Sequence, residues 1–177
     1  IGDGYSDSFL LNFAAARLTH ALGENDLTLN ILENRPAAQG KFPFYYLDYL
    51  QGMSLLYKLD FEKSEQYFNR FLSNFKGNNY IKSAYHKLAL IAFLQGKTEK
   101  KLSYFEKVKS EGSAAIDEDK VALKDAKKQY ITHSRLLSTR LLYDGGYYQA
   151  ALKELQSIKT LKEYSGFYDE YWYRLAR

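Results

Sequence analysis

Three histidines, His20, His86 and His133, are the only imidazoles in the chain. No two stand at metal-ligand spacing and no His-Glu-x-x-His pair occurs, so the sequence offers no helical zinc site. Cysteine is absent, which removes disulfides, thiolate metal sites and a thiol nucleophile together. There is no Gly-x-Ser-x-Gly elbow to carry a serine nucleophile. Gly145–Gly146 precedes a helical stretch but has no Lys-Ser/Thr behind it, so it reads as a hairpin turn and not as a phosphate loop. Asp117, Glu118 and Asp119 are adjacent, without the alternating oxygen ligands and closing glutamate of a calcium loop. They read as the acidic first turn of a helix, placed at its positive dipole end. The residue types therefore point away from an enzyme, a metal and a cofactor.

The lysines between 97 and 128 are interleaved with Glu99, Glu106, Glu111, Asp117, Glu118, Asp119 and Asp125, and read as a solvated face with i,i+4 pairs. The net charge of +4 is too small to argue for nucleic acid. The longest apolar run is Leu88 to Leu94, far short of the roughly 20 residues that a spanning helix needs. The chemistry that remains is aromatic. Seventeen tyrosines and eleven phenylalanines supply rings that pack as apolar bodies, many with a polar tip suited to half-buried seams.

These residues must be held by helices. Only two valines, seven isoleucines and six threonines occur in 177 residues, which disfavours sheet. Glycines punctuate stretches of helical periodicity. The pattern predicts helices near 7–22, 26–34, 43–58, 61–75, 80–95, 98–110, 117–128, 129–144, 148–159 and 168–177, with Asp60, Thr98 and Asp117 as N-caps. Tight turns fall at Gly23, Leu59, Gly96 and Gly146, each followed by a short polar or aromatic opening and another helix. The longer last interval accommodates an inserted helical stretch, 113–128. Gly52 and Ala89 stand mid-helix where small residues let neighbours approach closely.

This phase resembles the tetratricopeptide (TPR) repeat, two antiparallel helices in about 34 residues. Tyr85, Leu88, Ala89, Gly96, Phe105 and Val108 carry the resemblance best. Gly52, Leu55, Ser64, Phe68 and Phe71 carry it in the preceding repeat, and Tyr148, Ala151 and Leu155 in the one turning at Gly146. Ala16, Gly23 and Leu32 carry a weaker match, while Gln51, Ser138 and Lys101 depart from it. Trp172, Leu175 and Ala176 look like the opening of a further repeat. The run Phe68-x2-Phe71-Leu72-x2-Phe75, then Tyr80, Ala84 and Tyr85, is similar to TPR proteins of the Gram-negative envelope, which suggests a periplasmic or outer-membrane-associated setting. The stretch from Tyr45 to Leu155 also resembles an uncharacterised family of larger bacterial TPR proteins, which implies no activity.

The resemblance implies an all-α right-handed superhelix over 1–177, with repeats near 8–40, 44–77, 81–112 and 129–160 and a half repeat at 168–177. It implies a non-enzymatic interaction scaffold that takes a protein or peptide segment in a concave groove. The groove positions carried over are Tyr46, Tyr49, Met53, Tyr57, His86, Phe93, Arg140, Tyr143 and Tyr173, with Phe13, Arg17, Leu90 and His133 beside them. The lysine–asparagine clamp for a carboxylate terminus is not matched, since Tyr49, His86 and Leu136 occupy the lysine-like position. Two other readings stand beside the scaffold: a helical accessory domain of a larger enzyme, and a carbohydrate-binding module using the tyrosines. The half repeat at 168–177 is expected to pack on the preceding pair and leave Tyr171, Trp172 and Tyr173 as an apolar surface, a route to self-association; the parent protein is expected to continue beyond Arg177.

Overall fold

The computed structural model describes residues 9–34, 45–158 and 167–176. Ten helices, and no strand, occur among them. They fall into two compact units, residues 1–75 and 76–177. The first unit holds α1 (Phe9–Ala21), α2 (Asn25–Glu33), α3 (Tyr46–Tyr57) and α4 (Phe61–Asn74). The second holds α5 (Ile81–Leu94), α6 (Thr98–Ser110), α7 (Asp117–Lys128), α8 (Ser134–Asp144), α9 (Tyr148–Gln156) and α10 (Tyr168–Ala176). Helices pack mainly as sequential pairs: α1 with α2, α3 with α4, α5 with α6, and α8 with α9.

The four pairs are closed by one turn used four times. Gly23, Leu59, Gly96 and Gly146 have φ of 75°, 62°, 72° and 81°. Each donates its N–H three residues back, to His20, Leu56, Phe93 and Tyr143. The residue after each donates five back: Glu24 to Thr19, Asp60 to Leu55, Lys97 to Ala92 and Tyr147 to Leu142, all within 2.8–2.9 Å. This is the Schellman arrangement, which satisfies the last carbonyls of a helix and needs a left-handed residue. The second helix then begins two residues after the left-handed one in every pair.

A packing register follows from the turn. Seven residues before it stand Ala16, Gly52, Ala89 and Thr139, and sixteen residues further on stand Leu32, Phe68, Phe105 and Leu155. Apart from Gly52, where no side chain exists, these residues are nearly or fully buried. A methyl group on Gly52 would come within 3.1 Å of the Phe68 ring. The small residue on the first helix thus sets how closely the large residue of the second approaches. Ser64 Oγ seals the same contact by donating to the Gly52 carbonyl at 2.8 Å. In the third pair, where Lys101 replaces the small residue, its ammonium lies 5.9 Å from the Phe93 ring centroid.

Three local expectations change. Asp60 does cap α4, accepting from Lys63 N–H at 3.3 Å, but Thr98 and Asp117 are the first helical residues after Lys97 and Ile116. The helix expected from 129 begins at Ser134, because α7 ends in a fifth left-handed turn at Gln129, φ 50°, with Tyr130 N–H reaching the Asp125 carbonyl. Nor is α7 only a solvated helix. Its Ala122 and Ala126 join Ala89, Phe105 and Val108 in one core cluster. Asp119 is fully buried and accepts from the N–H groups of Tyr80 and Ser83, at 2.7 and 2.8 Å. Its charge therefore caps the start of α5 and not that of its own helix. Lys82 completes the junction, donating to the carbonyls of Val108 at 2.7 Å and Glu111 at 2.9 Å, at the end of α6.

Candidate functional site

The residues expected to line a groove divide between the two units. In the first, Tyr49 is 4% exposed and packs edge-on against Phe68 and Phe71 of its partner helix. Met53, one helical turn further on, is also buried. Tyr46 is half-buried, stacked on Tyr49 and met edge-on by Phe13. Tyr57 is half-buried and stacks on His20 at 5.4 Å. Burial pushes His20 down to about 4, so this imidazole is neutral, with Nδ1 3.2 Å from Ser54 Oγ.

The second unit repeats the lesson at His86, which is 5% exposed and stacks on Phe105. Phe13, Tyr49, His86 and Leu136 all stand ten residues before their turn. In the last three pairs the side chain meets its own pair's second helix, at Phe68 with Phe71, at Phe105, and at Leu155, while Phe13 packs on the cluster that holds Leu32. Tyr49 and His86 are therefore core residues and not contact residues. The cause is register, since a position carried over from a related repeat presents outward only where the helix pair packs at the same rotation. Leu90 is likewise buried, whereas Arg17 is exposed and His133 instead caps α8, its Nδ1 accepting from Arg135 N–H at 3.2 Å.

Tyr143, by contrast, reaches a cleft of about 460 Å³ formed by α8, α9 and α10. Tyr143 meets Tyr148 edge-on at 5.2 Å. Leu152 and Leu155 form one wall, and Arg174 and Leu175 of α10 form another. The cleft exists because α10 sits on the pair through Phe167 and Tyr171, which pack against Leu136, Leu155 and Ile158. Tyr171 is thereby half-buried, while Trp172 and Tyr173 remain 54% and 55% exposed.

Two buried polar atoms belong to residues of the cleft wall. Among the described residues, Arg174 Nε and Thr139 Oγ1 are buried and find no hydrogen-bond partner. The same guanidinium lies 3.6 Å from Glu170 and 5.6 Å from the Tyr173 ring centroid. Glu170 is in turn held by Thr132 Oγ1 at 2.5 Å. A buried donor without an acceptor costs free energy, about 1–3 kcal/mol, and the Arg174 guanidinium, which also lines the cleft, can donate to a ligand oxygen. The described residues lining the cleft are apolar, aromatic, amide, hydroxyl and guanidinium side chains. The arrangement can hold an apolar or aromatic group and donate to one oxygen.

A second polar cluster joins α5, α7 and α8. His86 Nε2 lies 3.7 Å from Asp125 Oδ2, beyond hydrogen-bond reach, and finds no hydrogen-bond partner among the described residues. Burial first, then Lys87 and Arg140, push His86 down to about 3. Burial and Arg140 pull Lys87 down to about 8, against Asp144, Asp125 and Glu118. Burial raises Asp125, against Arg140 and the neighbouring lysines. Arg140, expected in the groove, is half-buried among these groups, and Phe93 is half-buried under Lys101. The cluster is an internal brace of opposed charges. Among the described residues, no group of His, Asp and Glu side chains is placed to hold a metal ion.

No family model matches the chain, and no curated protein or solved structure is significantly similar to it. The polar residues absent from the sequence reading are Lys82, Lys87, Arg174 and the trans-capping role of Asp119. Lys87 had a signal. It stands nine residues before its turn, where the other pairs beyond the first carry Leu50 and Leu137. A lysine at an apolar repeat position marks a built environment.

Proposed function

We propose that the chain is a non-enzymatic helical-repeat module of TPR type, coiled as a right-handed α-α superhelix, that binds a protein segment. The observation that carries this reading is the α8–α9–α10 cleft, with its tyrosine pair, leucine walls and the Arg174 guanidinium. Aromatic and arginine side chains in a desolvated recess are the residues that dominate peptide recognition. The ligand fitting this chemistry is an apolar or aromatic side chain followed by a backbone carbonyl or a carboxylate oxygen.

Selection of a displayed random-peptide library on the purified protein tests the proposal. Enriched peptides should share an aromatic or leucine beside an oxygen-bearing residue. Tyr143→Ala should weaken a selected peptide at least tenfold. Binding on a glycan array that Tyr143→Ala abolishes, with no peptide enriched, would instead favour the carbohydrate reading.

A further inference from the structure

The shared turn provides a ruler for comparing the first helix of every pair. Five residues before the turns at Leu59, Gly96 and Gly146 stand Ser54, Ile91 and Leu141, which are 0%, 1% and 3% exposed. Leu18, five before Gly23, is 60% exposed. Nine before the turns, Leu50 and Leu137 are buried, whereas Ala14 is exposed. Thirteen before, Tyr46 is half-buried, whereas Leu10 is 65% exposed. The same helix face is covered in later pairs and lies in solvent in α1.

In α3 the cover is defined. Leu50 and Leu47 pack with Leu32 and Ala16 of the preceding hairpin, and Ile31 and Phe13 close around them. Asn25 Nδ2 donates to the Ser54 carbonyl at 2.8 Å. This face therefore receives the hairpin before it, chiefly through that hairpin's second helix. In α1 the face reads Leu10, Ala14, Leu18, a strip at i, i+4, i+8 with a small residue at its centre. That is the shape into which a large side chain inserts between two leucines.

From this register we infer that the outward face of α1 is a stacking interface for one further helical hairpin of the same repeat type. The second helix of that hairpin presents large apolar residues at the positions held here by Ile31 and Leu32. The inference is independent of the cleft between α8, α9 and α10, because it concerns the other unit.

Tandem duplication of residues 9–44 within the full chain supplies such a hairpin at the spacing of Gly23 and Leu59. The melting midpoint should rise by roughly 5 °C or more, as added nearest-neighbour stacking predicts. Ala14→Lys together with Leu18→Lys in the inner copy should cancel that rise. The same two changes in the unduplicated chain should move the midpoint by less than about 2 °C, since both residues are then in solvent. Three results overturn the inference: no rise, including failure of the duplicated chain to fold; a rise that the inner lysines leave intact; or a concentration-dependent dimer of the unduplicated chain that the two lysines abolish, which would assign the face to a second copy.

Discussion

Leu59 holds a left-handed φ of 62° where the other three hairpins use glycine. A non-glycine residue there costs about 1–2 kcal/mol, partly offset by the lower unfolded-state entropy it brings. Leu59→Gly should therefore stabilise the protein by ~0.5 kcal/mol, read as a higher urea midpoint. Gly96→Ala should do the reverse by ~1 kcal/mol, and through conformation alone, because nothing lies within 4 Å of the added methyl. If Gly96→Ala proves neutral, the left-handed turn is not the element that closes the pair. Three of these turns were legible because glycine advertises them. Leu59 was legible only through repeat phase, as its side chain gives no local signal. Tyr49 and His86 were misplaced for a related reason: sequence spacing fixes which residues share a helix face, but the rotation of that face against its partner is set by Phe68, Phe71 and Phe105, which lie in another helix.

At the scale of elements, α7 is the informative case. Its acidic start looked like ordinary complementarity to its own dipole, and Asp117 does pair locally with Lys120 at 2.9 Å. Asp119 instead reaches Tyr80 and Ser83, more than thirty residues earlier in the chain, and only tertiary structure brings these together. The inserted helix thus holds the pair beside it. Asp119→Ala leaves two backbone donors of α5 without their acceptor, at a cost of about 2 kcal/mol. Hydrogen exchange should show the first turn of α5 opening preferentially; uniform loss across the second unit would mean that the carboxylate serves general packing. Lys82→Met tests the opposite pole, since it keeps the aliphatic stem and removes the ammonium from the α6 carbonyls. The end of α6 should exchange faster while α5 stays protected.

Over the whole molecule, the two buried imidazoles link stability to pH in both units. His20 and His86 have folded-state values of about 4 and about 3, below the ordinary 6.5. The unfolded chain therefore takes up their protons first, and stability present above pH 6.5 is lost as pH falls toward 4. Each contributes a slope of about 1.4 kcal/mol per pH unit across the lower part of that window. His86→Leu, which imitates Leu136 at the equivalent position, should flatten the dependence in urea melts between pH 7 and 5. A slope unchanged by that substitution would show that His86 does not titrate on unfolding.

The all-helical character was legible in the composition because so few β-branched residues are available to a sheet. Of the cleft residues only Tyr143 was legible as a contact residue, because Arg174 and Leu175 join it through the packing of α10. The central claim is that this cleft holds a protein segment. Hydrogen–deuterium exchange with and without a display-selected peptide, on the unaltered chain and on Arg174→Gln, tests it most directly. The account predicts protection of amides in α8, α9 and α10, with affinity lowered about tenfold in the variant. Protection confined to other helices, with the variant binding normally, would contradict it.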